Sequence, residues 1–107
     1  LVAVDENKVR AYGVFKNAFG MIGHVLTINV DPASRRRGVA TALLDAGERF
    51  LRDSGAATIV LEVADSNSGA RALYQRRGYE DDETIEDYYG PGKRAVRMSM
   101  DPRPRSV

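Results

Sequence analysis

The spacing of apolar positions changes along this chain, and each change marks an element. Leu1 to Val4 reads as a short strand turned by Asp5-Glu6-Asn7, and Val9 to Phe15 as a second strand with Gly13 inside it. Asn17 to Gly23 reads as a glycine-bearing loop, and His24 to Val30 as a third strand. From Gly38 to about Asp53, Ala40, Leu43, Leu44, Gly47, Phe50 and Leu51 recur at helical spacing, with Ser54-Gly55 as the stop. Gly47 in mid-helix weakens it by roughly a kcal/mol relative to Ala, which suits close packing on a sheet. Thr58 to Ala64 is a β-branched strand. Asn67 and Ser68 suit the cap of a helix with Ala70, Leu73 and Tyr74 on one face, closed by Gly78. Tyr79 onward is extended, Asp87 to Lys93 is a loop, Arg94 to Met100 is a last strand, and Pro102 and Pro104 mark a loose tail. The predicted order is β-β-β-α-β-α-β-β: an α/β chain with a mixed sheet and helices against it. One domain spans residues 1–100, followed by a tail over 101–107.

Composition narrows the chemistry. The chain has 107 residues, 43% hydrophobic and 29% charged, which suits one modest core. Without cysteine there is no disulfide, thiol nucleophile or cysteine metal site, and the lone His24 argues against a histidine zinc site or a serine triad. No metal is expected. No apolar run approaches the ~18 residues of a membrane span and no signal peptide is evident, so no membrane is expected and the cytoplasm is the default compartment. Net charge is only +1, yet the charges are segregated: Arg35-Arg36-Arg37 against Glu80, Asp81, Asp82, Glu83, Glu86 and Asp87. That balance argues against general nucleic-acid binding. The acidic stretch reads either as a solvated face or as a lure for a cationic substrate.

Chemistry concentrates after the third strand. Val30-Asp31-Pro32 ends a β-branched run, Arg35-Arg36-Arg37-Gly38 follows, and an apolar helix starts at once. First-turn N–H groups and the helix dipole favour an anion there, Gly38 lets backbone approach it, and arginines add forked donors. A phosphate or pyrophosphate is the predicted ligand, although Arg-x-x-Gly-x-Ala alone is a weak pattern. In the Thr58 to Ala64 strand, Ile59, Leu61 and Val63 share one face, so Glu62 points to the other. It is either solvent-facing or held in a cleft where desolvation raises its pKa toward useful base strength. Tyr74 reads equally as a core aromatic.

The ordered set of Arg35-x-x-Gly38-x-Ala40, Leu61-Glu62-Val63, Asn67 and Leu73-Tyr74-Gln75-Arg76-Arg77-Gly78-Tyr79 resembles the GCN5-related N-acetyltransferase (GNAT) superfamily. Within it the chain is most similar to the branch that acetylates protein N-termini, including ribosomal-protein alanine N-acetyltransferase. The resemblance runs from Leu1 to about Met100. It implies acetyl-CoA as cofactor, with the pyrophosphate on Arg36, Arg37, Gly38, Val39, Ala40 and Thr41. The backbone of Ile28, Asn29 and Val30 would pair with the pantetheine, and Asn67 would contact the cofactor. The same resemblance implies Tyr74 as the acid that protonates the leaving thiolate, Glu62 as catalytic base, and Tyr88-Tyr89 as the pair that closes over the acceptor. It also implies one more strand and two helices ahead of Leu1, which supply a wall of the acceptor site.

The implied reaction is direct attack of a neutral amine on the thioester, catalysed by positioning and by backbone N–H groups facing the thioester oxygen. An α-amine is roughly a tenth neutral at pH 7, whereas a lysine is neutral only about 0.04% of the time. One carboxylate suits the first, so the expected acceptor is a protein or peptide N-terminus. Two further readings stand beside it: a small-molecule amine acetyltransferase (polyamine, aminoglycoside or amino acid), and a non-catalytic or partner-dependent CoA-binding domain. The sequence leaves monomer and homodimer open.

Overall fold

The computed structural model describes residues 2–5, 8–18, 21–30 and 38–101. Three strands open the chain: β1 (Val2–Asp5), β2 (Lys8–Ala18) and β3 (Ile22–Val30). Helix α1 (Val39–Asp53), strand β4 (Thr58–Ala64) and helix α2 (Ser68–Arg76) follow, then β5 (Glu80–Ile85) and β6 (Ala95–Met100). The six strands form one mixed sheet in the order β1-β2-β3-β4-β6-β5. Every pair is antiparallel except β3 with β4, which the α1 crossover makes parallel.

The hairpin between β2 and β3 corrects one expectation. Asn17 pairs with Gly23 and Ala18 with Ile22, so most of the expected Asn17 to Gly23 loop is strand. Gly23 is there for packing: a Cβ on it would press within 3.0 Å of Leu51 on α1. Gly47 serves the same contact from the helix side, because a Cβ there would collide with the Phe15 ring on β2. Two glycines thus let α1 settle closely on β2 and β3, as the mid-helix glycine predicted.

The core lies between the sheet and its two helices. Leu44 and Leu51 of α1 meet Val25, Ile59, Leu61, Val63, Val96 and Met98 from the sheet, with Ala70, Leu73 and Tyr74 of α2 packed alongside. Each fully buried aliphatic of this kind stabilises the fold by about 1.5–3 kcal/mol. Phe50, read as part of the apolar stripe, sits at its edge and is half exposed. Asn67 caps α2 as expected, its Oδ1 accepting from the Ala70 N–H at 3.2 Å. Gly78 follows that helix at φ 102°, a left-handed conformation that favours glycine.

A polar tie fixes α2 relative to α1. Arg77, just past α2, donates to Glu48 from Nη2 at 2.6 Å and from Nε at 3.2 Å, and to Asp45 at 2.7 Å. The buried Tyr79 hydroxyl donates to Glu48 at 2.8 Å. The Tyr79 ring meets Tyr74 edge-on at 5.8 Å, so this tie also sets where Tyr74 stands.

Candidate active site

The β3–β4 ladder joins Ile22–Val25 to Thr58–Leu61, and beyond it the strands part. The parting opens a cleft of about 660 Å³. Leu26, Thr27 and Ile28 line one wall, Glu62, Val63 and Ala64 the other, and Ala40, Asn67, Leu73, Tyr74 and Tyr89 complete it. Of the expected site residues, Ile28, Ala40, Glu62, Asn67, Tyr74 and Tyr89 therefore share one cavity. Asn29 and Val30 lie in the β3 backbone and pair with Tyr12 and Ala11.

Gly38 precedes α1 at φ 74°, ψ 10°, and its carbonyl accepts the Ala42 N–H at 3.0 Å. That conformation adds a second demand for glycine, since a Cβ would be strained there although no described atom stands within 4 Å of it. The N–H groups of Val39, Ala40 and Thr41 have no preceding helical carbonyl, no described side chain caps them, and the first turn holds no acid. This is a fit for a pyrophosphate. Arg36 and Arg37 lie outside the described residues.

Glu62 is the electrostatic centre of the other face. Burial alternates along β4, which sends Ile59, Leu61 and Val63 into the core and Glu62 the opposite way. Register supplies its partners. On β6, Arg97 stands directly opposite Glu62, and Glu83 on β5 stands opposite Arg97. On β3, His24 aligns with Val60, close enough to reach the carboxylate. The Glu62 side chain is 6% exposed. Its Oε1 accepts from His24 Nε2 at 2.7 Å and from the Tyr88 hydroxyl at 3.2 Å, and its Oε2 accepts from Arg97 Nε at 3.1 Å. Tyr89 donates to the Glu62 carbonyl at 3.4 Å and meets the Tyr88 ring edge-on at 4.8 Å. The loop carrying this pair turns at Asp87, whose φ is 55° and whose Oδ1 accepts the Gly92 N–H at 2.7 Å.

These contacts correct the expected chemistry of Glu62. Burial does push its pKa up, but hydrogen bonds from His24 and Arg97, the His24 charge and the Tyr88 hydroxyl outweigh it and hold Glu62 below its ordinary 4.5. Tyr74 moves the other way: burial, then the nearby Tyr89, raises its hydroxyl above 10. It is therefore protonated at neutral pH and available as a donor. Asn67 lines the cleft with Oδ1 committed to the α2 cap, which leaves its amide N–H groups for a ligand.

Sequence reasoning missed His24, Arg97 and Asp87. His24 and Arg97 join the site through strand register, which no local pattern discloses. Asp87 had a signal in the turn residues around it. Glu80 to Glu83 of the acidic stretch prove to be part of an exposed edge strand, whose Asp81 pairs with Arg71 at 3.0 Å and whose Glu83 pairs with Arg97, while Glu86 and Asp87 lie in the turn that follows.

Comparison with known proteins agrees with this geometry. The profile of the acetyltransferase (GNAT) family matches residues 1–79. This chain belongs to the GNAT acetyltransferase family. A curated GNAT relative, the N-alpha-acetyltransferase of Saccharolobus solfataricus, is 38% identical over 78 residues, covering 72% of this chain and 47% of its own. The mycothiol acetyltransferase of Saccharomonospora viridis is 38% identical over 74 residues, 67% of this chain and 24% of its own. Among solved structures, the ribosomal-protein-S18-alanine N-acetyltransferase of Escherichia coli superposes with a TM-score of 0.83 at 27% identity, covering 96% of this chain and 68% of that one. The chain spans about half the length of the N-alpha-acetyltransferase it matches. Both the α/β architecture and the element order are those expected of a GNAT fold.

Proposed function

We propose that this domain transfers an acetyl group from acetyl-CoA to the N-terminal α-amine of a protein or peptide. One observation carries the reading: a buried, anionic carboxylate stands at the edge of a cleft between two parted strands, with a helix N-terminus beside that cleft. When bound, acetyl-CoA supplies the activated acetyl group as a thioester. The α1 start would hold its pyrophosphate, the β3 backbone at Ile28, beyond the ladder with β4, would pair with its pantetheine arm, and Asn67 would donate to it. Tyr74 donates its hydroxyl proton toward the leaving sulfur. With a raised pKa against about 8.5 for an ordinary thiol, it acts more as a strong hydrogen-bond donor than as a full acid. On the opposite face, the Glu62 cluster receives the amine and Tyr88-Tyr89 packs against the peptide that carries it.

The similarity to an N-alpha-acetyltransferase and to a ribosomal-protein alanine N-acetyltransferase supports a protein acceptor. The similarity to a mycothiol acetyltransferase supports a second reading, a small-molecule amine. Internal pairing of Asp81 and Glu83 leaves less acidic surface for a polycation than the sequence alone suggested. Mass spectrometry of a peptide library and an amine panel incubated with acetyl-CoA separates the two. The proposal expects acetylated peptide N-termini. Products confined to the small amines would transfer the reading to them, and no product in either set would leave a CoA-binding domain.

A further inference from the structure

Glu62 has few free lone pairs and a weak affinity for a proton, so the group that ends up holding the amine's proton has to be sought beside it. Both carboxylate oxygens are engaged, by His24 and Tyr88 on Oε1 and by Arg97 on Oε2. Arg97 is itself held from the far side by Glu83, so three strands carry an alternating row of charge in register. This arrangement clamps a carboxylate. It does not free one to accept.

We propose that His24 is the proton acceptor of the reaction, that Glu62 orients its ring, and that Arg97 clamps Glu62 in place. The inference rests on the acetyl-transfer reading and names an atom for its proton step. A proton on Nε2, bonded to Glu62 Oε1 at 2.7 Å, leaves Nδ1 as the basic lone pair of the ring. The imidazole is one-quarter exposed, so an amine, or a water between them, can reach it. Its neighbours Gly23 and Val25 face α1 and the core, so His24 lies with Glu62 on the side of the sheet away from the helices. Imidazole is the side chain whose ordinary pKa, about 6.5, falls where an α-amine begins to lose its proton. Among the described residues, His24 meets Glu62 directly, Arg97 and the loop residues Tyr88 and Tyr89 meet that same Glu62, and Lys16 is the register partner of His24 on β2.

The step balances simply. The amine nitrogen forms the C–N bond to the acetyl carbon and the C–S bond breaks. The proton leaves nitrogen for His24 Nδ1, the sulfur leaves as thiolate and takes a proton from Tyr74 or solvent, and the imidazolium and Tyr74 are reset through water.

The chain has a single histidine, so its titration and tautomer can be followed directly by NMR in the whole protein. The expected result is that the acid limb of kcat, at saturating acetyl-CoA and peptide, follows that imidazole titration. The neutral ring is expected to carry its proton on Nε2 in wild type and to lose that preference in Glu62→Gln. His24→Ala is expected to lose about 100-fold in kcat at unchanged acetyl-CoA affinity, and added imidazole to restore most of the loss. An acid limb that ignores the imidazole titration overturns the proposal and returns the proton to the carboxylate. Unchanged turnover in His24→Ala overturns it as well, and so does a loss that imidazole cannot reverse. Absence of transfer by wild type to any amine overturns the acetyl-transfer reading itself, and this inference with it, a result distinct from the other three.

Discussion

Two buried carboxylates in this molecule have nearly the same partners and different surroundings. Glu48 on α1 accepts from an arginine and a tyrosine, Arg77 and Tyr79. Glu62 on β4 accepts from an arginine and a tyrosine too, Arg97 and Tyr88, with His24 added. At Glu48 the partners are themselves enclosed: Arg77 is 15% exposed and Tyr79 is 2% exposed. At Glu62 they face solvent, with Arg97 at 38% and Tyr88 at 45%. A hydrogen-bonded carboxylate is thus no sign of chemistry by itself. What separates the two is that Glu48 joins elements that must not move, whereas Glu62 stands at the edge of a cleft under a loop. Glu48 also drives the Tyr79 hydroxyl up together with burial, a group left with no role but to donate.

The comparison breaks most visibly at Arg77. Replacing it with Ala strands Glu48, and the expected loss is about 3–5 kcal/mol of stability. Turnover per folded molecule should be nearly unchanged. Urea unfolding alongside an acetyl-transfer assay checks both. Gly38→Asp comes next: it puts a side chain at φ 74° and a negative charge at the helix start. It should cost about 2–3 kcal/mol of CoA binding, roughly 30–150-fold by calorimetry, with the fold intact because that Cβ meets none of the described residues. Tyr74→Phe should lower kcat about tenfold, or ~1.4 kcal/mol, and leave acetyl-CoA affinity alone, since its hydroxyl is needed only as sulfur leaves. The smallest effect is acid-linked. Glu62 titrates below its ordinary value in the folded protein, so its contribution to stability is complete above about pH 4.5 and fades as pH falls through the lowered value. The stability gap between wild type and Glu62→Gln should therefore narrow on acidification, as pH-dependent unfolding curves would show.

Much of the cofactor side was legible because its signals are local. Glycine before a helix, asparagine at a cap, a β-branched strand with one charged residue: each specifies its own conformation within a few positions. Glu62 stood out for that reason. Its partners did not, because His24 and Arg97 are 38 and 35 residues away and meet it only once β3, β4 and β6 are in register. The expected rise in its pKa was wrong for the same reason: burial was readable from the strand pattern, the charges that outweigh burial were not. Gly23 misled locally, since a glycine needed for a helix contact looks like one needed for a turn. The tyrosine pair entered only through family resemblance, and the structure brings it to Glu62.

The central claim is that Glu62 works and Glu48 only holds. The most direct measurement is kcat per folded molecule for Glu62→Gln and Glu48→Gln, side by side, with the folded fraction of each taken from its unfolding curve. The account predicts a loss of up to about 100-fold for Glu62→Gln, no larger than that of His24→Ala because Glu62 acts through that ring, and less than a few-fold for Glu48→Gln. Equal losses, or a Glu62→Gln variant that turns over like wild type, would contradict it.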